Sequence, residues 1–401
     1  MNSMSTPESR TVNETVPVSL MVSVGDLSAD KHASKLVNKL KSMQPNLSVW
    51  GLGSSAMKEA GAEILYDCQS FSSIGIAGVL KLIPFLAGVR DTLLKEIEKR
   101  KPKAILLVDY GGFNLVLAQT IRAKYKNLPI YYFISPQVWG SRPWRMNTIA
   151  KTVTKMLVIF PFEENLYASK NIPVSFVGHP LTKNLPERNT LLTKNEFAAK
   201  YKLDPTNPII GIFPGSRKSE IKNLFPVNLE AVKQLGQQRP EIQFAVSQAN
   251  KELATDIERA IKNNSLSKTI KLVSIEDTYS LMSLCDLAWA KSGTTTLELT
   301  LFAKPMLIFY KGDWLSYLIF LAFKRTQNVG WPNLLAGKEL IPELIQLDCS
   351  AQKLVQYSKD ILDVPGLGKE MSQELEALKN KLGEGNYADT CAYEISQALS
   401  K

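Results

Sequence analysis

Cysteine is scarce in this chain: Cys68, Cys285, Cys349 and Cys391 are scattered through 401 residues, with no Cys-x-x-Cys pair. That spacing excludes a zinc ribbon and a disulfide framework, and it reads as a reducing compartment with the thiols buried as small hydrophobes. His32 and His179 are the only histidines, so a two-histidine metal site would need both, and no metal is expected. No Asp-x-Asp pair is present to hold a metal-bound diphosphate. Residues 1–16 carry no apolar core of the kind a secretory signal needs, which predicts a loose polar leader on a cytosolic protein. No run reaches the roughly 18 uncharged apolar residues of a spanning helix. Two come partway: 72–89 is interrupted by Lys81 and Pro84, and 315–323 is followed by Lys324 and Arg325. Such runs are either core helices or apolar surface resting in a lipid interface with cations on anionic headgroups.

What is present is a basic, ordinary globular composition. Lysine plus arginine number 48 against 38 aspartate plus glutamate, a formal net charge of +10, which favours an anionic partner. No basic helix or aromatic RNA platform accompanies that charge, so nucleic acid is not the expected partner. With 45% hydrophobic residues and this length, two domains are the default.

Short, nearly continuous hydrophobic runs alternate with helical patterns. Strands are expected at 18–24, 47–52, 104–108, 130–134, 156–160 and 174–177, and again at 209–213, 242–246, 270–273, 287–290 and 306–310. Amphipathic segments such as 30–42 and 89–101 lie between them. The pattern predicts two doubly wound, Rossmann-like α/β domains facing a cleft, each with a parallel sheet covered on both faces. The segment 180–193, with two prolines and no hydrophobic period, marks the expected boundary. The expected organisation is a leader at 1–16, a first domain at 17–185, a second at 186–370, and a helical segment at 371–401 that packs back on the first domain or on a partner.

In open α/β sheets, ligands bind outside the carboxyl ends of the strands, and the chemical residues here fall just after strands. Asp26, Ser28 and Asp30 follow the first and either cap the next helix or touch a ligand. Asp109, before two glycines, is a turn former or a general base for a sugar hydroxyl. In the second half, Pro214-Gly215-Ser216-Arg217 follows a strand and opens a helix. There Gly215 lets backbone approach an anion and Arg217 supplies a forked cation suited to a diphosphate, although such a turn is also an ordinary helix start. Ser292, Gly293 and Thr294 form a similar helix start, with Glu298 one turn on, where it would hold a ribose diol.

Segment 131–181, with its SPQVW, LVIFPFE and FVGHP pieces, resembles the lipid-A-disaccharide synthases. The pieces at 214–220 (PGSRKSE), 292–298 (SGTTTLE) and 331–339 (WPNLLAGKE) are similar to that family's motifs and stand in its order. The resemblance runs from about residue 18 to the end of the chain. It implies the GT-B fold and an inverting transfer of 2,3-diacylglucosamine from UDP to 2,3-diacylglucosamine 1-phosphate, giving a β-1,6-linked disaccharide and UDP, with no cofactor. It further implies Asp109 as base, Arg217 with the Gly215 and Ser216 amides at the diphosphate, and Ser292, Gly293, Thr294, Glu298 and Asn333 around the rest of the nucleotide. Acceptor contacts fall to Asp26, Ser28, Asp30 and Gln137. Ile74, Leu80, Ile83, Phe85 and Leu86 would contact the inner face of the cytoplasmic membrane, and the C-terminal helices imply a homodimer. This sequence departs from the family at Ala29, where its first loop has glycine, at Gly112, where its second aspartate stands, and in the loop holding Trp144 and Arg145. Those departures keep open a related transferase with another UDP-sugar or acceptor. A non-catalytic sugar-nucleotide-binding protein is the third reading.

Overall fold

The computed structural model of the chain describes residues 18–69, 79–140, 142–248, 250–312, 317 and 328–400. Its strands are β1 (Ser19–Val24), β2 (Ser48–Gly53), β3 (Glu63–Asp67), β4 (Ala104–Val108), β5 (Ile130–Phe133), β6 (Lys155–Val158) and β7 (Val174–Phe176), followed by β8 (Ile209–Phe213), β9 (Gln243–Ser247), β10 (Ile270–Val273), β11 (Leu287–Lys291), β12 (Met306–Tyr310) and β13 (Glu343–Ile345). They form two sheets, ordered β3-β2-β1-β4-β5-β6-β7 and β10-β9-β8-β11-β12-β13. The pairs β1–β2, β1–β4, β4–β5, β8–β9 and β8–β11 are all parallel. Central strands β1, β4 and β8 are buried at every residue, as a sheet sandwiched between helices requires.

In both sheets the strand order reverses beside the first strand of the set, and that reversal places the loops. Val24 of β1 pairs with Val108 of β4, so Gly25 and Asp109 leave the first sheet side by side. Phe213 of β8 pairs with Ala290 of β11, so the loops that begin at Pro214 and Ser292 leave the same end of the second sheet.

Every strand expected from the sequence is present. The two that hydrophobic runs did not reveal, β3 and β13, each lie at one edge of a sheet and are only partly buried along their length. β3 (EILYD) begins and ends on a carboxylate and β13 (ELI) has only two apolar residues, so neither shows as a hydrophobic run. The helix expected at 89–101 starts ten residues earlier, as Val79–Arg100 with Pro84 inside it. Pro84 lies inside the helix, where it removes one backbone hydrogen bond and favours a kink.

Contacts divide the chain differently from the boundary expected at 180–193. One compact unit comprises Met1–Pro136, Thr148–Leu157 and Ala388–Lys401, the other Gln137–Asn147 and Val158–Tyr387. The last segment is held in the first unit by ion pairs from Asp389 to Lys39 (2.6 Å) and from Glu394 to Lys155 (2.8 Å). The segment from Gln137 goes with the second unit because Trp139 packs edge-on against Trp331, centroids 5.6 Å apart.

Candidate functional site

The loops leaving β8 and β11 line a cavity of about 410 Å³ in the second unit, to which Gly215, Ser216, Arg217, Gly293, Thr294 and Glu298 all contribute. Gly215 has φ +113°, and a Cβ there would stand 2.5 Å from Glu220 Oε2, so glycine is required twice over. The close neighbour is the carboxylate that organises the loop. Glu220 Oε2 accepts from the amides of Ser216 (2.9 Å) and Arg217 (3.3 Å), while its Oε1 pairs with Lys291 Nζ at 2.9 Å. The Ser216 amide, expected to donate to a ligand, is therefore already donated within the chain. Burial pushes the Glu220 carboxyl upward, but Lys291 and the Ser216 amide outweigh it and hold the group below its ordinary value. Arg217 is exposed at the start of the helix Lys218–Gln238 and lines the cavity.

Opposite loop residues divide between the cavity and the fold. Thr294 and Thr295 line the cavity, whereas Thr296 is buried and donates its hydroxyl to the Gly293 carbonyl at 2.8 Å. Ser292 lies outside the lining, its amide donated to the Phe309 carbonyl (3.1 Å). The Glu298 carboxyl is raised by burial and accepts from the Tyr279 hydroxyl at 3.0 Å, which opposes that rise. Burial and Glu298 together push the Tyr279 hydroxyl up as well.

Asn333 corrects an expectation. It is fully buried; Nδ2 donates to the Ile341 carbonyl (2.7 Å) and to Glu343 (2.8 Å), and Oδ1 accepts from the amides of Leu340 and Ile341 (both 2.8 Å). Its whole hydrogen-bonding capacity holds the chain after the helix Trp331–Ala336, leaving none for a nucleotide. Around it the family-like pieces converge as an aromatic stack: Phe160 lies on Trp331 (4.3 Å), with Phe162 (5.6 Å) and His179 (5.0 Å) also against Phe160. Phe160 and His179 are buried in this stack, while Phe162 and Trp331 are partly exposed.

In the first unit, the switch point between β1 and β4 carries Asp26 and Asp109. Asp109 and Tyr110 both adopt left-handed backbone, φ +48° and +49°, a strained pair for residues with side chains. Asn114 holds the turn: fully buried, it accepts from the Ser23 hydroxyl (2.7 Å) and donates to the Asp109 carbonyl (2.9 Å). Tyr132 donates its hydroxyl to the same carbonyl at 2.6 Å. Burial pushes the Asp109 carboxyl up to about 6, the Asp26 charge acts in the same direction, and the Tyr110 amide opposes both.

Asp26 accepts from the Ala29 amide (2.8 Å) and caps the helix Leu27–Met43. Asp30 corrects a second expectation, since it is buried and accepts from the amides of Ser54 (2.7 Å) and Ala56 (2.9 Å), fixing the next helix start rather than a ligand. Ala29 sits inside the helix, so its methyl stands in no tight turn. Ser28 and Gln137 are exposed, and a Cβ at Gly112 would meet nothing within 4 Å.

Of the residues expected at a membrane, Ile74 and the run 315–323, Tyr317 excepted, lie outside the described residues, as does the Leu80 side chain. Ile83 and Phe85 are 57% and 43% exposed, and Leu86 is half-buried. Among the described residues no helix is long and apolar enough to cross a membrane, and no three His, Cys, Asp or Glu side chains group as metal ligands.

Sequence reasoning overlooked Tyr279, and it placed Glu220 and Lys291 in the two loops without giving either a role. Glu220 was signalled by its spacing three residues after the helix start, and Lys291 by a charge ending an apolar strand.

Residues 20–392 match the family described as Lipid-A-disaccharide synthetase. The lipid-A-disaccharide synthase of Geobacter sulfurreducens is 36% identical over 382 residues, covering 95% of this chain and 97% of that protein. A lipid-A-disaccharide synthase 1 of Legionella pneumophila is 34% identical over 380 residues, 94% and 96% of the two chains. Among solved structures, UDP-GlcNAc 2-epimerase from Neisseria meningitidis bound to UDP-GlcNAc aligns with TM-score 0.60 at 13% identity over 95% of this chain and 99% of its own. The S. aureus MnaA-UDP structure aligns with TM-score 0.63 at 14% identity over 96% and 97%. At that identity the structural likeness speaks for the fold, two parallel-sheet α/β domains of GT-B type.

Proposed function

This chain belongs to the lipid-A-disaccharide synthetase family, and we propose that it moves 2,3-diacylglucosamine from UDP to 2,3-diacylglucosamine 1-phosphate. The match of named synthases over nearly the whole length of both chains carries this reading. The chemistry is one in-line displacement. Asp109 takes the proton of the acceptor hydroxyl, that oxygen bonds to the anomeric carbon, and the bond from that carbon to the diphosphate oxygen breaks, inverting α to β. UDP leaves carrying the electron pair. Arg217 balances the charge that develops on it, Thr294 lies beside the remaining phosphate, and Glu298 receives the ribose hydroxyls; no metal is assigned a part. Asp26 and Ser28, at the same sheet end as Asp109, are the acceptor-side groups of this reading. Purified protein given both acylated substrates should release UDP and disaccharide in equal amounts. UDP binding without turnover would instead make the chain a sugar-nucleotide-binding protein.

The open space at Gly112 favours one variant of this reading: nothing steric explains why the family's second aspartate is missing, so a different acylated acceptor is the alternative to test in the same assay.

The substrates' acyl chains call for a lipid surface, and we place the protein peripherally on the cytoplasmic face of the inner membrane. Exposed Ile83 and Phe85 on the helix Val79–Arg100 support that placement, together with the net charge of +10. Co-sedimentation with anionic vesicles should fall severalfold when both become serine. Unchanged sedimentation would leave them as ordinary surface residues.

A further inference from the structure

One cation in the second unit's cavity has no task in the transfer as described. Lys291 ends β11, and its side chain is only 20% exposed. Its ammonium lies 2.9 Å from Glu220 Oε1 and 5.8 Å from the centre of the Tyr310 ring. A Cβ on Gly293 would come within 3.3 Å of it, so the ammonium stands against the start of the helix Thr294–Leu301. Through Glu220, whose other oxygen holds the Ser216 and Arg217 amides, it is tied to the loop after β8 as well. A single ammonium thus joins both loops of the cavity, on whose wall it sits.

Desolvating a lysine and a glutamate is costly, and an apolar pair of similar size would hold two loops together as well or better. An ammonium offers three donors, and Glu220 uses only one side of it. A diphosphate next to Arg217 alone would retain most of its negative charge, and it would also face the Glu220 carboxylate. We propose that Lys291 is a second cation on the diphosphate of the bound nucleotide, and that Glu220 is the positioning residue that aims it while fixing the Ser216–Arg217 turn. The inference rests on the sugar-nucleotide reading of this cavity.

Calorimetric titration with UDP and with uridine, which lacks the phosphates, separates the two ideas. Wild-type protein should bind UDP much more tightly than uridine. Lys291→Met should weaken UDP by roughly ten- to a hundredfold, as loss of a charged hydrogen bond does, and leave uridine unchanged, which also shows that the variant is folded. Lys291→Arg should keep most of the preference. If Lys291 served only to neutralise Glu220, the double variant Glu220→Gln/Lys291→Met would regain wild-type UDP affinity; the proposal requires it to stay weak. A Lys291→Met protein with undiminished preference, an equal loss for both ligands, or recovery in the double variant overturns the role of Lys291 alone. Wild-type protein that fails to distinguish UDP from uridine overturns the sugar-nucleotide reading itself.

Discussion

Asp109→Asn should slow transfer by roughly two to four orders of magnitude, the range for removing a general base, with affinity for the sugar nucleotide kept. Asparagine preserves the shape and backbone bonds of the turn after β4 but cannot take a proton. Burial sets the pH dependence: with the carboxyl pushed up to about 6, the base form is lost as pH falls through that value, giving wild type an acidic limb near pH 6. The variant's residual rate should lack that limb. Stability should move in the opposite direction. A carboxyl raised from 3.8 to about 6 on folding binds its proton more tightly in the native state. Its stabilising contribution is therefore complete below pH 3.8 and lost as pH rises through about 6, a swing of about 3 kcal/mol. Above pH 7 the neutral asparagine avoids the burial of that charge, and the variant should melt at or above the wild-type temperature. Lower activity with undiminished stability marks a base; an unchanged rate, or loss of activity only through unfolding, would leave Asp109 as a turn former.

Arg217→Ala should cost about 3–4 kcal/mol of transition-state stabilisation, or two to three orders of magnitude in kcat/KM, the scale for removing one donor to a developing anion. Because Arg217 is exposed at a helix start, its removal leaves the core intact and the melting temperature nearly unchanged. Near-normal turnover by the folded variant would take the leaving group away from Arg217.

The sheet order places these two residues, and much of that placement could be read from the sequence. Strands such as 104–108 and 209–213 are apolar on both faces because they are covered on both, and the polar segment that follows such a run stands at the ligand end of a parallel sheet. What the runs could not convey was the partner each polar side chain takes. Asp30 reaches amides 24 and 26 residues away, and Asn333 bonds to residues seven to ten positions on, among them Glu343 of β13. A capping aspartate, a ligand-binding aspartate and a tertiary clamp have the same signature until the chain has folded. The domain division was hidden for a related reason: Trp139 follows the aromatic residues it packs against, and no change of composition marks that choice.

The turn after β4 also constrains how this sequence can have changed. A methyl on Gly25 would lie 2.0 Å from the Tyr110 ring, and Tyr110 is held in place by the same left-handed turn that carries Asp109. The two positions are accordingly not free to drift singly. A side chain at 25 therefore needs residue 110 to shrink or move, and that disturbs the turn that carries Asp109. Glycine at 25 and tyrosine at 110 are thus coupled, each limiting what the other can be.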